Sequence, residues 1–321
     1  CTKMVTAILV HSLVEKRKLR YEDRVVDFLP DFGSHGKDAI TIRHLLTHRA
    51  GIPFAPHAEA PLDIIADSAA VVELLSDMEP EYPPGRTVAY HALTSGFIFA
   101  EIIKKVTGED IRTLLEKTIR KRLGFRFFNY GVKPEEMDIV AMNSFTGMEP
   151  RGPAYTVLKR ALGLDLEGIK AVLNDPRFMT GIVPSGNIFA TANEVSRFME
   201  VLLRDGAEGK TRILKPNTVR TALSRQTFFD VDRSLMIPIS YSMGLMLGGD
   251  NVSFFGHESG RAFGHIGFSN VMAWADPARD ISVALLNNGK PLFTPEALLW
   301  FNIIRVISVA IPPDRRNSQD D

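Results

Sequence analysis

Apolar residues recur at helical spacing from Met4 through Val5, Ile8 and Leu9 to Leu13, which predicts one buried helix from Met4 to about Lys18. Leu19 to Asp31 reads as a turn leading into a short apolar segment, Val25-Val26-Asp27-Phe28-Leu29-Pro30. A helix is predicted over Thr41 to His48, closed by Gly51 and Pro53. Further helices fit Leu62 to Ser76, Thr94 to Val106 before Gly108, Ile111 to Leu123 before Gly124, and Asn193 to Arg204 before Gly206. After about Ile239 the pattern shifts to β-type runs: Tyr241 to Leu247, Val252 to Phe255, Phe263 to Ala275 and Ile281 to Asn287. Asp276-Pro277-Ala278-Arg279-Asp280 joins the last two as a hairpin-like turn, and Pro295 to Val309 closes the pattern as a packed amphipathic helix. Strands gathered at one end and helices at the other predict an α+β fold with an antiparallel sheet flanked by helices. The organisation is read as a mainly helical region, 1–238, then sheet strands and a C-terminal helix, 239–311, then a polar tail, 312–321.

Composition narrows the function classes. The 321 residues are 45% hydrophobic and 24% charged, which is ordinary for a globular chain with a large core. Lys plus Arg and Asp plus Glu are equal at 38 each, so no net field draws the protein to nucleic acid or to an anionic membrane, and a small molecule is the expected partner. One cysteine, Cys1, excludes an internal disulfide and a multi-cysteine zinc site. No apolar run reaches the roughly 20 residues that a membrane span needs. The sequence opens on Cys1 and enters a core helix at once, so a segment ahead of it is expected to be missing. It assigns neither compartment nor oligomeric state.

Chemistry enters at the same point. A serine acylation site needs a nucleophile, a base within reach and oxyanion donors, and one layout, S-x-x-K, puts the first two a helical turn apart. Cys1 and Thr2 fit as the two spacers before Lys3, which places the serine directly before Cys1, on the helix face that Lys3 occupies. Three further stretches follow: Ile40-Thr41-Ile42-Arg43-His44-Leu45-Leu46-Thr47-His48-Arg49-Ala50-Gly51-Ile52-Pro53, then Pro84-Gly85-Arg86-Thr87-Val88-Ala89-Tyr90-His91-Ala92, then Gly264-His265-Ile266-Gly267-Phe268. In order and content they resemble the I-T-I-R-H-L-L-T-H-x-S-G-L-P, P-G-x-x-x-x-Y-S-N and K-T-G or H-x-G segments of the class C β-lactamase and esterase superfamily, the penicillin-recognising serine hydrolases. The resemblance runs from Lys3 to the terminal helix.

Carried over, it implies that Lys3 takes or relays the serine proton with Tyr90 as its partner, without fixing which is the base. His265 and Gly267 would line the opposite wall, and the Phe268 N–H would pair with the serine's own N–H as the oxyanion hole. His44 and His48 lie one turn apart but lack a third ligand, and neither a metal nor a cofactor is expected. Two departures from the lactamase pattern matter. Ala92 stands where an amide-binding Asn is usual, and His265, a weaker cation near neutral pH, stands for the lysine that meets a β-lactam carboxylate. Both favour an ester as substrate. The alternatives are a β-lactamase or D-alanyl-D-alanine peptidase, and a non-catalytic scaffold. Pro184-Ser185-Gly186-Asn187 resembles the family's P-S-G-G loop, and Ser185, with no lysine three residues on, is not nominated as nucleophile. Because the family places two strands ahead of its serine, Ile281 to Asn287 is expected as an edge strand, and a chain without the serine is expected to be inactive.

Overall fold

The computed structural model describes residues 1–54, 64–146, 152, 155, 156, 166–228, 230–251, 253–291 and 295–314. Helix α1 (Thr2–Glu15) is enclosed nearly all round: besides Met4, Val5, Ile8, Leu9 and Leu13 it buries Thr2, Thr6, His11 and Ser12. A helix buried on every side must satisfy its polar groups within the protein, and these are. Thr6 Oγ1 donates to Pro184 O at 2.5 Å, Ile188 N donates to Thr2 Oγ1 at 3.0 Å, and Ser12 Oγ donates to Leu9 O. Helix α2 (Ile42–Leu46) is capped by Thr41, whose side chain accepts from His44 N while His44 Nδ1 accepts from Thr41 N. Helix α3 (Ser68–Asp77) starts later than the pattern predicted, because Asp67 caps it through Ala69 N and Ala70 N; positions 62 and 63 lie outside the described residues. Helix α4 (Thr94–Thr107) ends at Gly108 in the left-handed region, and α5 (Ala192–Leu203) is opened by a Thr191–Glu194 capping box.

The main sheet is a six-stranded antiparallel meander. Its strands are β1 (Asp230–Asp232), β2 (Ile237–Tyr241), β3 (Met246–Leu247), β4 (Phe263–Ile266), β5 (Met272–Asp276) and β6 (Ile281–Leu285), neighbours in sequence being neighbours in space. Strand alternation divides the core. Phe263, Ala273 and Ala275 join the large cluster built on α1, α4 and α5, whereas Met272 and Trp274 pack with Ile239, Phe255 and Ile304 of the terminal helix α6 (Pro295–Ala310). Helices thus cover both faces of the sheet, in the α+β arrangement that the sequence predicted.

The strand β6 lies at the edge of the sheet, as expected. The turn between β5 and β6 is fixed by a buried ion pair: Arg279 Nη1 lies 2.7 Å from Asp276 Oδ2, with the side chains 3% and 1% exposed. Arg279 also donates to His257 O, Glu258 O and Ile311 O, tying this turn to the end of α6. Three other runs differ from expectation. Tyr241 to Leu247 is not one strand but two with a turn between them, because Gly244 adopts φ 108° and faces α1 so closely that a Cβ would sit 2.3 Å from Ala7 Cβ. Ser253 to Phe255 is loop, and position 252 lies outside the described residues. Phe263 to Ala275 is likewise two strands, β4 and β5, with a turn over 267–271 between them. Val25–Asp27 and Pro30–Ala39, for which the pattern predicts no element, form 3-10 turns. Of the polar tail, 315–321 lies outside the described residues. No described helix is long and apolar enough to cross a membrane.

Candidate active site

The first turn of α1 forms part of the wall of a cavity of about 600 Å³ that lies between the helices and the end of the sheet. Lys3 lines it, with Nζ donating to Ser185 O at 3.2 Å and lying 4.9 Å from the centre of the Tyr90 ring. Part of the Lys3 side chain faces the cavity, yet the protein around it excludes enough water to push its pKa down to about 7. The loop that receives Lys3 is held by α1 itself through Thr2, Lys3 and Thr6. Inside that loop, Asn187 Oδ1 accepts from Val183 N while Nδ2 donates to Phe178 O. Helix α4 presses against it at Gly96, where a Cβ would come within 2.3 Å of Ser185 Oγ. The Ser185 hydroxyl donates to Leu93 O at 2.9 Å.

Tyr90 sits on the loop before α4, and its backbone is fixed on both sides. Tyr90 N donates to Asp232 Oδ1, Ala89 N to His48 O, and His91 N to His48 Nδ1. The ring packs 4.9 Å from His48 and 5.8 Å from His265, centre to centre. Burial, reinforced by the negative charge of Asp232, pushes the phenol pKa well above its ordinary value. The phenol therefore stays protonated at neutral pH and can donate a hydrogen bond.

The opposite wall comes from the end of β4. Ile266, Gly267 and Phe268 line the cavity, Gly267 N donates to Val271 O at 2.5 Å, and the Phe268 ring meets Phe145 edge to face at 6.5 Å. His265 departs from expectation. It is 1% exposed and is not among the lining residues, because strand alternation turns its ring inward beside Tyr90. Burial holds its pKa well below the usual histidine value, so it is neutral and offers no cation to a substrate carboxylate. His44 and His48, one turn apart in sequence, serve different ends: the first caps α2, the second packs against Tyr90, Tyr241 and His91. Among the described residues, no group of three or more potential ligands is arranged to hold a metal.

Asp232 belongs to no motif that the sequence reading singled out. Its carboxylate is fully buried and accepts from the backbone N–H groups of Tyr90, Ser234 and Leu235 and from Tyr241 Oη. It thereby ties the Tyr90 loop to β1 and β2, across 142 positions of sequence, where no local motif could mark it.

The cavity thus brings together a desolvated lysine on the first turn of a buried helix, a tyrosine beside it and the strand end at Gly267. The β-lactamase family model matches residues 1–306, and the chain belongs to this family of serine hydrolases. The esterase/β-lactamase LipL of Mycobacterium tuberculosis is 25% identical over 301 residues, 89% of this chain and 67% of that protein. A penicillin-binding protein homolog from Caulobacter crescentus superposes with a TM-score of 0.79 at 28% identity, covering 96% of this chain and 81% of that one. EstA from Arthrobacter nitroguajacolicus gives 0.78 at 26% identity, covering 97% and 84%.

Proposed function

We propose that this serine hydrolase cleaves carboxylic esters through an acyl-enzyme whose nucleophile is a serine at the position directly before Cys1. The observation that carries the reading is Lys3, whose amine is freed of its proton near neutral pH by burial and lies beside Tyr90. The serine hydroxyl attacks the ester carbonyl as Lys3 accepts its proton. The tetrahedral oxyanion is held by the Phe268 N–H and the serine N–H. The alcohol leaves with a proton delivered from Lys3 through the Tyr90 hydroxyl, and water then attacks the acyl-serine by the reverse relay. Tyr90 acts as donor and relay rather than as base, since its phenol is the more reluctant of the two to ionise.

Two features support an ester over a β-lactam. Ala92 lines the cavity and carries no amide to hold a substrate's amide bond, and the third motif supplies a neutral, buried His265 in place of a cation. In a polypeptide bearing serine before Cys1, kcat/KM for a short-chain aryl ester is expected to exceed that for a chromogenic cephalosporin by about 10²-fold or more, a difference on the scale set by unpaired polar groups in a site. Adding Ala92→Asn is expected to leave that order unchanged. Equal or faster turnover of the cephalosporin by the unsubstituted protein would overturn the ester preference.

A further inference from the structure

Lys3 makes one of three contacts through which α1 holds a single loop. Ile188 N donates to Thr2 Oγ1 at 3.0 Å, Lys3 Nζ donates to Ser185 O at 3.2 Å, and Thr6 Oγ1 donates to Pro184 O at 2.5 Å. Thr6 Oγ1 also lies 2.7 Å from Tyr130 Oη. A carbonyl can only accept and a hydroxyl has a single hydrogen, so the Thr6 proton goes to Pro184 O and the Tyr130 hydroxyl donates to Thr6. The result is a directed chain from Tyr130 through Thr6 to the carbonyl that precedes the one receiving Lys3. Both side chains are buried, and neither lines the cavity. Tyr130 has anchors of its own away from α1. Arg112 Nε donates to Tyr130 O at 2.7 Å, the strand Asn129–Tyr130 pairs with Ile188–Phe189, and Gly131 N donates to Asn187 O. The loop is therefore fixed from two sides, and with it the Ser185 carbonyl. A neutral amine has one lone pair, and giving a hydrogen to that carbonyl sets the direction in which the lone pair points.

We propose that Thr6 and Tyr130 are positioning residues for Lys3: they fix the Ser185 carbonyl that aims the amine at the serine in acyl transfer. This rests on Lys3 as the base of that step. A carbonyl acceptor favours the ammonium over the amine, so a loop that drifts from Lys3 lowers its pKa as well as loosening its aim. The titratable groups that face Lys3 are Tyr90, His48, His91, His265 and the Cys1 amine, all held uncharged near pH 7 by burial. Lys290 also lines the cavity and is common to every variant compared.

The titration of Lys3 can be followed in residues 1–321 by trace acetylation with acetic anhydride from pH 5 to pH 10, read at Lys3 by peptide mapping. Thr6→Val, which keeps the shape of the side chain but not its hydroxyl, is expected to move the Lys3 inflection down by about half a pH unit. Thr6→Ser should leave it in place. In the polypeptide bearing serine before Cys1, Thr6→Val should lower kcat for an aryl ester about tenfold and change KM by less than about twofold. Should Thr6→Val fail to fold, Tyr130→Phe carries the test, with a shift in the same direction and about a threefold loss of kcat. Ser12→Ala removes a buried hydroxyl bond elsewhere on α1 and should move neither the inflection nor kcat. An inflection that stays in place in Thr6→Val, or in Tyr130→Phe where that variant carries the test, would overturn the proposal. So would a loss that falls on KM instead of kcat, or an equal shift in Ser12→Ala. Acetylation needs no serine, so a failure of ester hydrolysis leaves the titration readable, and an unmoved inflection leaves Lys3 standing as the base.

Discussion

Replacing Lys3 with methionine, in a polypeptide that carries serine directly before Cys1, is expected to lower kcat/KM for an aryl ester by about 10³-fold or more, the range set by a positioned general base. Methionine keeps the length and apolar stem of lysine, so α1 retains its packing while the proton acceptor is lost. The unsubstituted protein should show a matching pH dependence. Only the neutral amine accepts a proton, and its pKa lies at about 7, so kcat/KM should rise as pH increases from 5 through 7 and then level off. In the methionine variant the residual rate should lack that rise. A variant that keeps its rate, or a wild-type profile that falls over this interval, would remove Lys3 from the role of base.

Acid is expected to unfold this protein through its buried neutral histidines. His11 is 0% exposed, its Nε2 lies 2.8 Å from Met243 O and its Nδ1 2.8 Å from Tyr21 Oη. A carbonyl can only accept, so Nε2 carries the hydrogen and Nδ1 accepts from the tyrosine, which satisfies the neutral ring completely. Burial lowers the pKa of His11 to about 4 and that of His91 to about 3. The folded pKa values lie below the value of about 6.5 in an unfolded chain. The unfolded state therefore takes up more protons between those limits, and stability is full above pH about 6.5 and lost as pH falls toward 4. One pKa unit corresponds to about 1.4 kcal/mol, so His11 alone contributes on the order of 3 kcal/mol to that loss, a large part of a typical folding free energy. Urea unfolding at pH 7.5 and pH 5 should show the midpoint falling with pH. His11→Gln, which cannot titrate, should lower the midpoint at pH 7.5 but flatten its pH dependence. A midpoint that is unchanged or rises toward pH 5 would contradict this account.

The parts of the fold that were legible in the sequence are those decided by short-range pattern. Helix α1, the α4 stop at Gly108 and the β5–β6 hairpin follow from apolar spacing, a left-handed glycine and an Asp-Pro turn, and the motifs brought Lys3, Tyr90 and the strand end at Gly267 to one cavity. What was not legible depends on distant partners. The run Tyr241 to Leu247 reads as one strand until Ala7 of α1 is set against Gly244. His265 reads as a cavity residue until strand alternation and burial turn it under Tyr90. Asp232 looks like an ordinary surface charge, and only the Tyr90 loop reveals what it does. The two-residue and three-residue strand pairs, such as Asn129–Tyr130 with Ile188–Phe189, are too short to leave a periodic signal.

The central claim, that acyl transfer runs on a serine one helical turn ahead of Lys3, is tested most directly by locating a covalent adduct. A fluorophosphonate probe, incubated with residues 1–321 and with a longer polypeptide bearing serine directly before Cys1, can be followed by intact mass and peptide mapping. The account predicts one adduct per molecule on that serine in the longer chain, and none on residues 1–321, where the Ser185 hydroxyl is committed to Leu93 O. Stoichiometric labelling of Ser185 or of any other serine within residues 1–321, or an unlabelled serine before Cys1, would contradict it.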